Sequence, residues 1–472
     1  MTKIVGGGCI CYLNKKGYFM KKLIYPLCAL AFASTVSAST ITTSTNAADI
    51  TDLATTATTF SGTNITLSVD ADTNAYQFKA DKGSNVTVEI ADGKKLSFVY
   101  RGANSLGNEA VAFNNSTITF KGGTVQVTES GESFWNGTLN FYSNFSGKQA
   151  SFRAGTLNIY NGWTSWSMSQ QDGTINMYGG TVDMGQAAFW GKNAVVNISE
   201  GVKFNASSIR LMNSGDSGSN NTMNLNGTAT ISGNLGTGTL GTNSSFFGAN
   251  LVIGSTGVLT TNGTADASIL TKLDIAGKWQ AKSNIYMVDK STLMLRSGSQ
   301  LLTNSKTTQA ESIVKIANIY YAKGGTGSRP VQLAITSDKV TKADVAVDLY
   351  GAQKLGRFEF YKDSSITLNF QEGSSLEIGK FASMSDYVGD FFVNLAGSWE
   401  DDVLKITSMT QSEIETLTFK LNGTEMLLGT DYMVEATEGG FYINTVAVPE
   451  PAEWAMIFGA IALGFVAYRR RK

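Results

Sequence analysis

A four-residue pattern, polar–apolar–polar–apolar, recurs along the middle of this chain. It reads Thr117-Ile118-Thr119-Phe120, Thr138-Leu139-Asn140-Phe141, Thr156-Leu157-Asn158-Ile159 and Thr174-Ile175-Asn176-Met177. Looser copies begin at Val195, Thr222, Asn250, Lys272 and Thr292, and a distant one at Thr367. Successive windows start 21, 18, 18, 21, 27, 28, 22 and 20 residues apart, before a gap of 75. Alternation with period two is the mark of a half-buried β-strand. Several windows run into Gly and then a second short strand, as in TFKGGTVQV and MYGGTVDM.

Strand, glycine turn and strand, repeated about every 20 residues, predict an all-β fold of the β-solenoid kind. One apolar stripe per unit makes too small a core alone, so neighbouring coils must stack. With only 4 Pro in 472 residues, the backbone N–H groups remain free for the ladders. The alternative is one or more β-sandwiches, whose strands also alternate and turn at regular intervals. No stretch between Ser39 and Ala447 carries helical periodicity.

The same pattern divides the chain. Residues 39–84 are expected to cap the solenoid, and 85–310 to form its clear repeats. Residues 311–385 are expected to be irregular β structure, with a break at Pro330 after GGTGSR. Residues 386–447 read as hairpins forming a small β-subdomain, with an Asn-Gly turn at Asn422.

The two ends differ from the body. Lys21 and Lys22, the apolar run Leu23 to Phe32, and the small residues Val36 and Ala38 make residues 1–38 a secretory signal peptide cleaved after Ala38. Met20 is an alternative start. All 3 cysteines, Cys9, Cys11 and Cys28, lie in that leader, so the exported chain has no disulfides.

At the other end, Trp454 to Tyr468 is an unbroken apolar run of roughly 22 Å as a helix, against a hydrocarbon core of ~30 Å. It is expected to be a short transmembrane helix, with Arg469, Arg470, Arg471 and Lys472 as stop-transfer bases. Val448-Pro449-Glu450-Pro451, a short hydrophobic helix and terminal bases resemble, in that order, a PEP-CTERM sorting signal. Such tails are also described as an ice-binding protein C-terminal domain. The resemblance covers residues 448–472 and implies export across the inner membrane of a Gram-negative bacterium. It also implies processing near the Pro-Glu-Pro by an exosortase-type enzyme, with membrane contact before that step. The expected destination is the cell surface or extracellular matrix.

Charge narrows the partners. Of 37 bases, 5 lie in residues 1–38 and 4 in 469–472, leaving 28 for the body; of 38 acids, only Glu450 and Glu453 lie outside it, leaving 36. A body near −8 does not suit the phosphate backbone of nucleic acid. Histidine is absent, which removes Ser-His-Asp and Cys-His catalysis and the usual zinc ligands. Carboxylate chemistry remains, and its candidates are thin. Asp70-Ala71-Asp72-Thr73-Asn74 opens like a calcium loop but lacks the following glycine and the terminal Glu. Glu400-Asp401-Asp402 reads as a charged turn. No cofactor is expected and no enzyme activity.

The residues alternating with the core are more informative. Thr138, Thr156 and Thr174, and Asn140, Asn158 and Asn176, are expected to form two outward polar rows about 4.8 Å apart along the stack. With Phe134, Trp135, Trp163, Trp166 and Trp190 as ring platforms, such rows suit adhesion or binding of extracellular polysaccharide. Three functions follow in order of fit: a structural or adhesin-like matrix protein, a carbohydrate-active enzyme on a β-helix, and an ice-binding protein. The uneven spacings weaken the third.

Overall fold

A computed structural model describes residues 3–6, 9–12, 39–99, 115–127, 132–135, 137–190, 193–211, 220–233, 235–236, 249–262, 268–321, 335–446 and 451–470. The body is a β-solenoid of parallel strands. All ten four-residue windows fall in one column of it. Thr117 pairs with Thr138, Thr138 with Thr156, Thr156 with Thr174, and Thr174 with Val195. The register continues through Thr222, Asn250, Lys272 and Thr292 without a slip between their apolar positions.

The column has a simple cause. A one-residue slip would turn every apolar side chain outward, so burial of Ile118, Leu139, Leu157, Ile175, Val196 and Met223 fixes the register.

Each coil has three strands rather than two. After the glycine turn a second strand stacks through Phe145, Trp163, Val182, Phe204, Ala229, Leu259 and Trp279. The chain then turns a corner inside the same element and enters a third column, Ala150, Met168, Ala187, Ile209 and Leu235. Trp163–Gln171, for example, serves both sheets, with Trp166 at the corner where pairing skips one residue. Three sheets enclose one core. Its first half carries a chain of ring contacts, Phe60, Phe78, Phe98, Phe120, Phe141 and Trp163, with centroids 4.8 to 6.5 Å apart.

The expected divisions are not visible as breaks in the stack. Within 39–84, Ser39–Ile41 pairs with Ala57–Phe60, which pairs with Gln77–Ala80, and Ile65–Val69 pairs with Asn85–Phe98. These are coils rather than a separate cap. Residues 311–385, expected to be irregular, hold Asp344–Leu349, Ala352–Phe360, Ser365–Phe370 and Ser375–Ser383 in continuous parallel register. Ala346 pairs with Thr292 and with Thr367, filling the gap of 75. That coil keeps the inward Val345, Val347 and Leu349 but has lost the outward Thr and Asn. A second reason for the gap is an antiparallel hairpin, Asn318–Tyr321 with Ile335–Thr341, inserted between third-column and first-column strands. GGTGSR and Pro330 lie outside the described residues.

In 386–447 the first strands, Phe392–Gly397 and Leu404–Ile406, still stack in parallel. Thr418–Leu421 also stacks in parallel on Phe392–Gly397 before the pairing reverses. Thr418–Leu421 turns at Asn422-Gly423 onto Thr424–Glu425, and Tyr432–Thr437 pairs with Gly440–Thr445. The last strand lies antiparallel on Leu404–Ile406 and covers an edge open to another chain.

The C-terminal helix runs Pro451–Arg470, 20 residues, and contains the expected 454–468. Among the described residues no helix is long and apolar enough to cross a membrane, so the expected transmembrane span is corrected to a short apolar helix. Glu453 and Arg469 bracket the apolar run at fifteen residues, where spanning needs ~20.

Candidate functional site

In-register stacking decides what the outward rows become. Identical side chains one coil apart sit at strand spacing, where an amide donor meets the next amide's acceptor. Asn140 donates to Thr119 Oγ1 at 3.2 Å, Asn158 to Asn140 Oδ1 at 2.8 Å, and Asn176 to Asn158 Oδ1 at 2.8 Å. Asn197 and Asn224 extend the ladder at 2.7 and 2.8 Å. All five are half-buried. The Asn row therefore binds coil to coil rather than facing a ligand. Thr138, Thr156 and Thr174 stand in register beside it, also half-buried, and the row is broken by Val195, Asn250 and Lys272.

The aromatic platforms separate. Trp163 is core, 1% exposed, with Nε1 donating to Ser165 Oγ at 3.2 Å. Trp166, three residues on, is 62% exposed at the corner between second and third sheets. The side chains of Phe134, Trp135 and Trp190 lie outside the described residues.

At the opposite edge of the second sheet, the first residue after each window forms a column that sequence reasoning missed. Tyr142 stacks on Tyr160 at 4.1 Å and 6°, and Tyr160 on Tyr178 at 4.8 Å and 18°. The outer two rings are 45% and 48% exposed. The signal was available: Tyr142, Tyr160 and Tyr178 follow three consecutive windows directly, at spacings of 18 and 18. The Tyr160 phenol is pushed up to about 12, first by its hydrogen bond to Tyr142 and next by partial burial. Farther along the same corner, Arg296 makes two bonds to Asp274, at 2.8 and 2.7 Å, and lies 4.2 Å over the Tyr350 ring. That contact ties three coils together and holds the guanidinium above its ordinary value.

The carboxylate candidates are structural. Asp70 accepts from the Asn46 amide, and Asp72 Oδ1 accepts from the Lys95 N–H at 3.0 Å, each across one coil. Asp401 Oδ1 accepts from both the N–H and the hydroxyl of Thr445 at 2.7 Å, and the Asp402 N–H donates to Asn444 at 2.9 Å. These bonds fasten the terminal hairpin to the solenoid. Among the described residues no cluster of three or more His, Cys, Asp or Glu forms a metal site.

Of the expected sorting residues, Pro451 opens the C-terminal helix, and Arg469 and Arg470 close it, exposed. Ala38, Val448, Pro449, Glu450, Arg471 and Lys472 lie outside the described residues. No protein-family model matches the chain, and no characterised protein or solved structure is significantly similar to it.

Proposed function

We propose that the chain is an exported structural or adhesin-like protein of the bacterial cell surface or extracellular matrix. In this reading Val448-Pro449-Glu450-Pro451 and the bases after Tyr468 address it to an exosortase-type enzyme. The helix between them touches the membrane only until that enzyme has acted. The observation that carries the reading is the Asn ladder, because it places the most regular polar side chains of the body between coils. A body whose repeated polar side chains stitch its own coils together suits a durable scaffold.

The test is mass spectrometry of both terminal peptides in protein recovered from the surface of the native cell. The reading expects a mature N-terminus at Ser39 and a C-terminus between Pro449 and Pro451. A chain that stays inside the cell with Met1 or Met20 at its N-terminus overturns export. A surface chain still ending in Lys472 overturns the sorting step.

A further inference from the structure

A protein built on stacked asparagines carries a chemical liability, because an Asn followed by Gly deamidates readily in water. The glycine nitrogen attacks the side-chain carbonyl carbon, ammonia leaves, and a five-membered succinimide forms. Water then opens the ring to aspartate or to isoaspartate, whose main chain runs through the former side chain. One amide and one water are consumed, and one carboxylate and one ammonium ion are released. Glycine favours the attack because it has no Cβ to crowd the closing ring.

The ladder itself is protected by sequence. Each of its asparagines precedes a bulky residue, as Asn158 precedes Ile159 and Asn176 precedes Met177. Asn-Gly occurs five times elsewhere, at Asn136, Asn161, Asn226, Asn262 and Asn422. Three of these pairs lie wholly within the described residues: Asn161-Gly162, Asn226-Gly227 and Asn422-Gly423.

The attacking N–H separates the three. Gly227 is buried, and its N–H donates to the Ile198 carbonyl at 3.3 Å. The Gly423 N–H donates to Asn394 Oδ1, one coil away, at 2.7 Å. Either bond must break before the nitrogen can turn onto the side-chain carbon. The Gly162 N–H has no partner among the described residues. Its position explains why: Gly162 lies in the turn between Thr156–Ile159 and Trp163–Gln171, just before ladder pairing resumes. Asn161 is exposed, and its amide reaches the Tyr142 carbonyl at 3.4 Å, longer than an ordinary bond of this type.

We infer that Asn161 is the ageing site of the folded chain, converting to aspartate and isoaspartate before Asn226 and Asn422 do. Conversion places a new carboxylate beside the Tyr160 column. The isoaspartyl form also adds one main-chain atom to the turn between the first and second sheets. The strain falls on the Gly162 carbonyl, which accepts from the Phe145 N–H at 2.9 Å, and on the seating of buried Trp163. The step needs only water and the local fold, so it goes beyond the matrix reading and stands whether or not the chain is exported.

Ageing the full folded chain in mildly alkaline buffer tests the site, with peptide mass spectrometry reading each amide as it becomes an acid. Asn161 should convert about fivefold faster than Asn226 or Asn422, the factor that ~1 kcal/mol of one hydrogen bond supplies. In concentrated urea, where no N–H is held, the three rates should converge. Asn394→Ala frees the Gly423 N–H and should speed Asn422 about fivefold. Asn394→Asp keeps an acceptor there and should leave Asn422 slow. Should Asn394→Ala fail to fold, the order in the unmodified chain still decides. Conversion of Asn226 or Asn422 as fast as Asn161 in the folded chain overturns the inference. So does an equal lead for Asn161 in urea, which would trace the difference to neighbouring residues rather than to the fold.

Discussion

Asn158 stands at the centre of the ladder, donating to Asn140 and accepting from Asn176, both at 2.8 Å. Substitution by Ala removes both bonds at once. It leaves a half-buried carbonyl above and a half-buried amide below without their partners. With each lost bond worth about 1 kcal/mol, Asn158→Ala should destabilise the solenoid by ~2 kcal/mol, read as a lower denaturant midpoint at unchanged slope. Loss of less than a few tenths would mean that water replaces the neighbouring amide at no cost. Tyr160 makes a different prediction, in pH. Its folded-state value of about 12 lies above the ordinary 10.0, so its proton is held more tightly in the folded chain. A raised value stabilises below the unfolded value, and the contribution disappears as pH climbs from about 10 through 12. Tyrosinate absorbance should therefore show a late step, absent from Tyr160→Phe, and stability should decline over that interval more steeply than in the variant.

At the scale of strands and turns, the first column was legible in the sequence because three constraints coincide in it. Its apolar positions alternate, its outward Asn must match its neighbours, and a glycine turn often follows. The third sheet was hidden because no turn residue announces it. The corner at Trp166 falls inside one continuous strand, and a bulky exposed ring there gives no sign of a bend. Its neighbour in the next coil explains how the corner closes. A Cβ built on Gly185 collides with the Trp166 carbonyl, so glycine admits the close approach of the two backbones. The coil of Asp344–Leu349 was hidden for another reason. Its inward Val345, Val347 and Leu349 satisfy burial, and the core requires no more than that. Loss of Thr and Asn at Ala346 and Asp348 removes the visible motif without disturbing the register, and Asp348 still accepts from the Asn369 amide at 3.0 Å. The tyrosine column was written in plain spacing but stood one residue outside the window that carried the repeat. The Asn row was placed correctly and misread in role. Periodicity tells which side chains share a column, whereas whether they face solvent or one another depends on how far in-register stacking draws them together.

Across the whole molecule, one property follows from coils that touch mainly the coil before and the coil after. Stability in such a stack is a sum of coil terms and nearest-neighbour terms, so damage should spread outward from where it is made. Trp279 is a suitable place to make it. Its side chain is fully buried, stacked between Leu259 and Leu301, with Nε1 donating to Thr261 Oγ1 at 3.2 Å. Trp279→Ala opens a cavity and leaves the Thr261 hydroxyl without its donor, at a cost of about 3–5 kcal/mol. Hydrogen exchange read peptide by peptide should then show the largest loss of protection in Val258–Thr261, Lys278–Ala281 and Gln300–Leu302. Thr138–Phe141 and Thr156–Ile159, many coils away and held by their own Asn bonds, should lose far less. An equal loss along the whole chain would mean that the solenoid opens as a single cooperative unit. The ladders would then transmit strain along its full length.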